Sequence, residues 1–152
     1  EEYMEFAKML WQKFLPVIPG FGMNGLSLMV GLNRYFKVNG MSYRAHWRIS
    51  GQKMVSRIDK MLAKDIPVIL AIGPNFPFVW RKEKLTFYTK MNDEKYIPAV
   101  KTKAHFVIVT GRDASWIQIS SWGKEYYIDI REYRKYVKRH SSFLVSNVID
   151  ID

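Results

Sequence analysis

The sequence predicts an α+β fold, in which helices come first and a mostly antiparallel sheet follows. Apolar residues recur at helical spacing in the first 62 residues of the 152-residue chain. Beyond that point, short apolar or alternating runs are separated by turn residues, and one late helical pattern interrupts them. Helical and strand patterns that are segregated along a chain are typical of α+β domains.

Three helices are predicted in the first part of the chain. The first covers residues 3–14, where apolar positions recur every three or four residues. The second, residues 23–36, is apolar on nearly every side and is therefore expected to be a buried central helix. The third follows Ser50, a favourable N-cap residue. A brief strand is expected within residues 41–50.

Strands are predicted where apolar residues alternate or run together between turn residues. They cover residues 66–72, 85–90, 104–110, 116–120 and 126–128, and a closing strand covers 142–148. Asp113 is interpreted as a turn residue between two of them. Asp129 is expected to cap the late helix, because Glu132 follows at the spacing of a capping box. We expect one domain over residues 1–152, preceded in the natural protein by residues upstream of Glu1.

The composition excludes several classes of function. Cysteine is absent, which excludes disulfides, thiolate metal sites and thiol catalysis within this sequence. No apolar run approaches the roughly 18 residues of a membrane span. His46 and His140 have no partners at ligand spacing, so neither a metal nor a cofactor is expected. We therefore expect a soluble domain and favour the cytoplasm slightly, although a cysteine-free chain suits a secreted protein as well.

The charge favours acidic partners. The formal net charge is +10 at pH 7, and a field of this sign attracts acidic ligands over long range. The basic residues are scattered along the chain, and no nucleic-acid-binding motif surrounds them. A charge of this size also serves solubility, which is the interpretation we favour. We expect a peptide or protein segment as the partner, with an acidic segment as an option, and no nucleic acid. The oligomeric state stays open.

Three segments, in order and at sensible spacing, resemble one family of enzymes. In residues 23–35, Ser27-Leu28 and the run 32–35 match a nucleophile helix. The run 104–111 (AHFVIVTG) resembles a catalytic His strand almost residue for residue, and the run 120–123 (SSWG) follows where a third catalytic residue is expected. Together they resemble the bacteriocin-processing, double-glycine-type cysteine peptidases of the papain-like superfamily.

This resemblance implies a papain-like fold, with the buried helix packed on the sheet and a cleft between them. It assigns the nucleophile position to Met23, the base to His105 and the residue that orients the imidazole to Ser120. The cleft positions that it implies for binding are Asn24, Gly25, Ala104 and Trp122. The family's oxyanion-hole Gln has no counterpart between Leu15 and Gly22.

The residues at these positions indicate a catalytically degenerate site. A thioether cannot be deprotonated, so Met23 cannot serve as the nucleophile. Ser120 can bond a ring N–H but brings no negative charge to stabilise an imidazolium. We therefore expect a domain that binds a peptide or unfolded segment without cutting it.

Two alternatives stay open. One is an active enzyme: a thiol peptidase or acyltransferase whose nucleophile lies outside this fragment, or an unusual hydrolase that uses His105. The other is a structural or accessory domain whose cleft is vestigial.

Overall fold

The computed structural model contains, in the residues that it describes, four helices and an eight-stranded antiparallel sheet, which confirms the α+β class. The described residues are 2–15, 23–47, 53–73, 83–92, 95–140 and 147–152. The helices are α1 (Glu2–Lys13), α2 (Gly25–Val38), α3 (Met54–Leu62) and α4 (Ile130–His140). The strands are β1 (Ala45–Trp47), β2 (Val68–Ile72), β3 (Leu85–Lys90), β4 (Tyr96–Thr102), β5 (His105–Arg112), β6 (Trp116–Ser121), β7 (Lys124–Asp129) and β8 (Val148–Ile151).

The chain divides into two compact units. The first comprises Glu1–Trp47 and Ile151–Asp152, and the second comprises Arg48–Asp150. Among the described residues, no helix combines the length and the apolar character that crossing a membrane requires.

In the first unit, aromatic rings and one asparagine hold the elements together. The edges of Phe6 and Phe14 meet the Tyr35 ring, with centroid distances of 6.1 and 5.4 Å, so α1 packs on α2. The Asn33 side chain accepts a hydrogen bond from the Ala45 backbone N–H and donates one to its carbonyl, which fixes β1 beside α2. These contacts satisfy polar backbone groups at the start of β1 that would otherwise need water.

Two glycines allow close packing in this unit. A Cβ atom at Gly31 would lie 2.3 Å from the backbone oxygen of Phe14, so α1 and α2 meet where α2 has no side chain. A Cβ atom at Gly25 would lie 2.8 Å from the indole of Trp47. Both distances are shorter than any real contact of this kind, and glycine is therefore required for the observed packing.

Helix α2 differs from the predicted buried helix in two respects. It begins at Gly25, because the Asn24 side chain accepts a hydrogen bond from the Ser27 N–H (2.8 Å) and acts as the N-cap. Its buried residues are Gly25, Leu28, Gly31 and Phe36, whereas Leu26 and Val30 are more than half exposed. An apolar side chain on every face did not ensure burial, since only one face meets α1 and β1.

The second unit contains most of the sheet. The complete strand order is β1-β8-β2-β5-β6-β7-β3-β4. Alternate residues of the central strands are buried: Val68, Leu70 and Ile72 in β2, Val107 and Val109 in β5, and Ile117 and Ile119 in β6. Helix α3 packs against β2 and β5, and α4 packs against β7 and β3. The fully buried side chains of Ile58 and Tyr133 come from these two helices.

Most predicted strands are confirmed, with small shifts of their ends. Strand β4 was not predicted, because Pro98 and several exposed positions hide its pattern; it lies at the edge of the sheet, where proline is tolerated. The closing strand is β8, which begins at Val148, and the remainder of its predicted range except Asn147 lies outside the described residues. Ser50, the predicted N-cap of α3, also lies outside them.

Both predicted turn and cap residues act as expected. Asp113 Oδ1 accepts hydrogen bonds from the N–H groups of Ser115 and Trp116, each at 2.7 Å. Asp129 Oδ1 accepts from the N–H groups of Arg131 (2.7 Å) and Glu132 (3.2 Å). The Glu132 side chain does not complete a capping box, since its carboxylate accepts a hydrogen bond from a tyrosine hydroxyl of β3 instead.

Replacing Gly31 by alanine should separate α1 from α2. The added methyl group overlaps the Phe14 carbonyl, and overpacking of this kind costs about 1–3 kcal/mol. We expect the free energy of unfolding, measured by urea titration, to fall by that amount. The control is Val38→Ala, at a strongly exposed position of the same helix. A Gly31→Ala chain as stable as the Val38→Ala chain would contradict this packing.

Candidate functional site

His105 is the first residue of β5 and points to the buried side of the sheet. Its Cα partner in β2 is Ile72, and it shares a face with Val107 and Val109, because side chains alternate along a strand. The ring itself is half-buried, since it lies at the end of this apolar row. Partial burial removes water from the imidazole and lowers its pKa below the ordinary value of 6.5. The ring is therefore mainly neutral at pH 7.

The hydroxyl group beside His105 belongs to Ser121 and not to Ser120. His105 Nε2 and Ser121 Oγ are 2.7 Å apart, and Ser121 is only 6% exposed. Ser120 is exposed and pairs with Ile108, so it lies on the opposite face of β6. The predicted partner thus differs from the observed one by a single residue. Neighbouring side chains of a strand point to opposite faces, so an error of one residue exchanges the buried and the exposed serine. The SSWG run alone does not give the strand register that distinguishes them.

Trp122 lies flat against His105. The two ring centroids are 4.3 Å apart and the ring planes differ by 10°, so the rings are stacked. The indole also meets the Tyr126 ring edge-on and the buried Phe87 ring at a tilt, each with a centroid distance of 6.1 Å. Nevertheless 54% of Trp122 is exposed. We call Phe87, His105, Ser121, Trp122 and Tyr126 the His–Trp site.

The backbone of Trp122 is strained. Ser121 pairs with Lys124 across the β6–β7 hairpin, which leaves a two-residue turn of Trp122 and Gly123. Both turn residues have positive φ, +49° and +71°. A turn with positive φ at both positions suits Asn-Gly or Gly-Gly, whereas a large side chain in this region costs about 1–2 kcal/mol. The hairpin therefore holds a tryptophan where local stability favours another residue.

The chemistry available at the His–Trp site is limited. The Ser121 hydroxyl can donate to Nε2 or accept from it, and this choice sets which ring nitrogen carries the proton. A hydroxyl gives no charge to balance an imidazolium, unlike the aspartate of a catalytic triad. Within the described residues, no group of three His, Asp or Glu side chains could hold a metal ion.

The other predicted site residues are found in different settings. Met23, Asn24 and Gly25 belong to the first unit, where Asn24 is the N-cap of α2 and Gly25 accommodates Trp47. These two roles are structural and explain both residues without a ligand. Ala104 is exposed in the turn before β5 and packs near Gly73. The approach of Met23 to His105 stays a prediction.

Sequence reasoning named His105 and Trp122 but missed the residues that hold them. Ser121 carries no signal of its own beside Ser120, because both are serines in the same run. Tyr126 and Phe87 were assigned only to strands. An alternation count from Ile117 and Ile119 would place Ser121 on the buried face, and this was the one available signal.

Comparison of the chain with protein-family models, with curated proteins and with solved structures gave no match. The family resemblance therefore depends on the three sequence segments alone.

The lowered pKa of His105 makes the stability of the fold depend on pH. The unfolded chain binds a proton at about pH 6.5, and the folded chain binds it only at lower pH. Stability from this group is therefore complete above about pH 6.5 and decreases as the pH falls towards the folded-state pKa. We expect NMR titration of the His105 ring, assigned with a His105→Gln chain, to give a midpoint below 6.5.

Removal of the indole provides the control for this titration. In a Trp122→Asn chain the ring gains water, and its midpoint should return towards 6.5. A native midpoint at or above 6.5 would contradict the described burial.

Proposed function

We propose that this chain is a degenerate, papain-like cysteine-peptidase domain that binds a peptide or an unfolded segment without cleaving it. The proposal depends on the conformation of Trp122. Its indole is exposed and stacked on a mainly neutral histidine, although its backbone is strained. Backbone strain that persists at one exposed aromatic residue points to a role in function. A ligand that packs on the free part of the indole provides this role.

The residues at the positions of the peptidase triad favour binding over catalysis. Met23 has no ionisable group, so the nucleophile is missing at its expected position. His105 is paired with a hydroxyl in place of a carboxylate, which weakens it as a base for a covalent step. The ring can still offer one hydrogen bond to a peptide through Nδ1, as donor or acceptor. A neutral ring and an exposed indole are suited to uncharged peptide groups.

The charges beside the site favour an acidic ligand. Lys103 precedes the His strand by one turn residue, Lys124 follows the Trp122 turn, and both are exposed. The nearby carboxylate of Glu125 is engaged, since it accepts hydrogen bonds from Gln118 and from the Tyr127 hydroxyl. With the overall charge of +10, this arrangement attracts acidic peptides and raises their association rate.

One observation favours a second candidate, a hydrolase with Ser121 as its nucleophile. The distance of 2.7 Å to His105 is within the reach required of a nucleophile and its base. However, only 6% of Ser121 is exposed, and a nucleophile needs access to the substrate. We therefore assign the hydroxyl to the positioning of the imidazole. Cleavage of peptides that depends on Ser121 would reverse this assignment.

Peptide binding is tested by capture from a diverse peptide library, followed by mass spectrometry of retained and free peptides. We expect intact peptides, enriched in acidic residues, to be retained by the native chain and lost with Trp122→Asn. This substitution removes a stack worth about 0.5–1.5 kcal/mol and relieves strain of similar size, so the free energy of unfolding should change by less than about 1 kcal/mol. Loss of binding then reflects the missing indole and not unfolding.

The control for capture is Tyr43→Asn, because Tyr43 is equally exposed (54%) and lies in the first unit. Peptides lost with both variants indicate general adhesion to exposed aromatic side chains and contradict the proposal. Cleaved peptides, absent with Ser121→Ala, would establish the hydrolase instead. Retention that is unchanged in Trp122→Asn would exclude the His–Trp site as the binding surface.

The family resemblance is tested by restoring the thiol with Met23→Cys. The chain contains no other cysteine, so the new thiol is the only one that can react with iodoacetamide. A cysteine beside a helix N-terminus and an imidazole has a pKa at least about one unit below 8.5, which raises the thiolate fraction about tenfold at pH 6. We expect alkylation of this chain to be faster by about that factor than alkylation of Met41→Cys, a control at a partly exposed methionine.

The second control separates the effect of the histidine from that of the helix. Adding His105→Ala to Met23→Cys should reduce the alkylation rate if the two residues meet as in a peptidase. Equal rates with and without His105 would mean that residue 23 is not the nucleophile position, and the papain-like assignment would be lost.

A further inference from the structure

Helix α1 leaves a second apolar surface uncovered. The face with Phe6 and Phe14 packs on Tyr35 of α2. About a third of a turn away, Met4 and Trp11 lie one above the other at a spacing of seven residues, with exposed fractions of 68% and 55%. Ala7 lies between them on the same stripe. Two large apolar side chains exposed in line on one helix indicate an interaction surface.

This surface contains a shallow, open groove. A groove of about 450 Å³ is lined by Met4, Glu5, Ala7, Lys8 and Trp11. Ala7 carries the smallest side chain of this lining. A groove of this shape accepts the ridge of another helix, and closest approach occurs at the alanine.

The groove carries one acidic and one basic side chain, so two copies of it can form ion pairs with each other. Glu5 and Lys8 are on the same edge of the stripe, three residues apart, and both are exposed. In an antiparallel copy of α1 centred on Ala7, Lys8 of the second copy is level with residue 6 of the first. Along the helix axis, Lys8 of the second copy is therefore displaced from Glu5 of the first copy by one helical rise, about 1.5 Å. The twofold axis makes this ion pair occur twice, and it also brings each Trp11 to the level of Tyr3 of the other copy.

We propose that this chain self-associates through α1, and that the occupant of the groove is the antiparallel α1 of a second copy. The contact is isologous: Ala7 lies at the twofold axis, apolar residues lie on both sides of it, and two Glu5–Lys8 pairs flank it. This proposal does not depend on peptide binding, because α1 belongs to the first unit and the His–Trp site to the second.

The size of the contact predicts a weak dimer. Helix α1 has 12 residues and is about 18 Å long. Two helices of this length bury less than the roughly 1,200 Å² of a standard stable interface. We therefore expect a dissociation constant roughly between micromolar and millimolar, and an oligomeric state that depends on concentration.

Sedimentation velocity of the native chain over a concentration series tests the proposal. We expect a shift from monomer to dimer, and we expect Glu5→Lys and Lys8→Glu each to raise the dissociation constant about tenfold, since each creates two like-charge contacts. An equimolar mixture of these two variants should form a heterodimer at least as tight as the native dimer, because opposite charges then face each other at both pairs.

The control variants are Glu2→Lys and Lys13→Glu, which make the same charge changes on the opposite side of α1 and should leave the association unchanged. Far-UV circular dichroism verifies that each variant keeps its helices. A chain that stays monomeric to roughly 1 mM overturns the proposal, and the groove then belongs to a different partner. Dimers that respond equally to all four reversals, or variants that fail to pair in the mixture, also overturn it.

Discussion

The register between β5 and β6 is the constraint on which the second unit depends. Val109 lies opposite Ile119, which places Val107, Val109, Ile117 and Ile119 in one apolar layer, each at most 1% exposed. A shift of one residue would turn this layer towards water and bring Ile108 and Ser120 inside. The same register sends His105 and Ser121 to the buried side. The apolar layer and the polar contact at its end are therefore fixed by one pairing.

An irregularity in this pairing links the sheet to α3. Between Val109 and Gly111 the register shifts by one residue, so that Arg112 lies opposite the buried Ile117. After this bulge, the Arg112 guanidinium reaches Asp59 of α3 and donates two hydrogen bonds to its carboxylate, at 2.6 and 2.7 Å. Without the extra residue, Arg112 would follow the exposed positions of β5. Because of the bulge, Arg112 connects β5 to α3 through its hydrogen bonds with Asp59.

The His–Trp site combines a strained backbone with an exposed aromatic side chain. Asparagine or glycine would adopt the left-handed conformation of residue 122 with less strain than tryptophan does. The stack on His105 and the contacts with Phe87 and Tyr126 offset part of the strain. The indole is thus held by three ring contacts, remains more than half exposed and lies against a mainly neutral imidazole. A side chain ordered in advance loses little conformational entropy when a ligand covers it.

The sequence by itself determined the α+β class, most strands, the Asp113 turn and the Asp129 cap, because these depend on local spacing and short-range hydrogen bonds. It also named His105 and Trp122, since the runs around them are distinctive. Only the tertiary structure decided that Ser121 and not Ser120 meets the imidazole, that Leu26 and Val30 of α2 remain exposed, and that Gly25 makes room for Trp47. Each of these depends on which face of an element meets another, and that choice is made by pairing and packing between residues far apart in the chain.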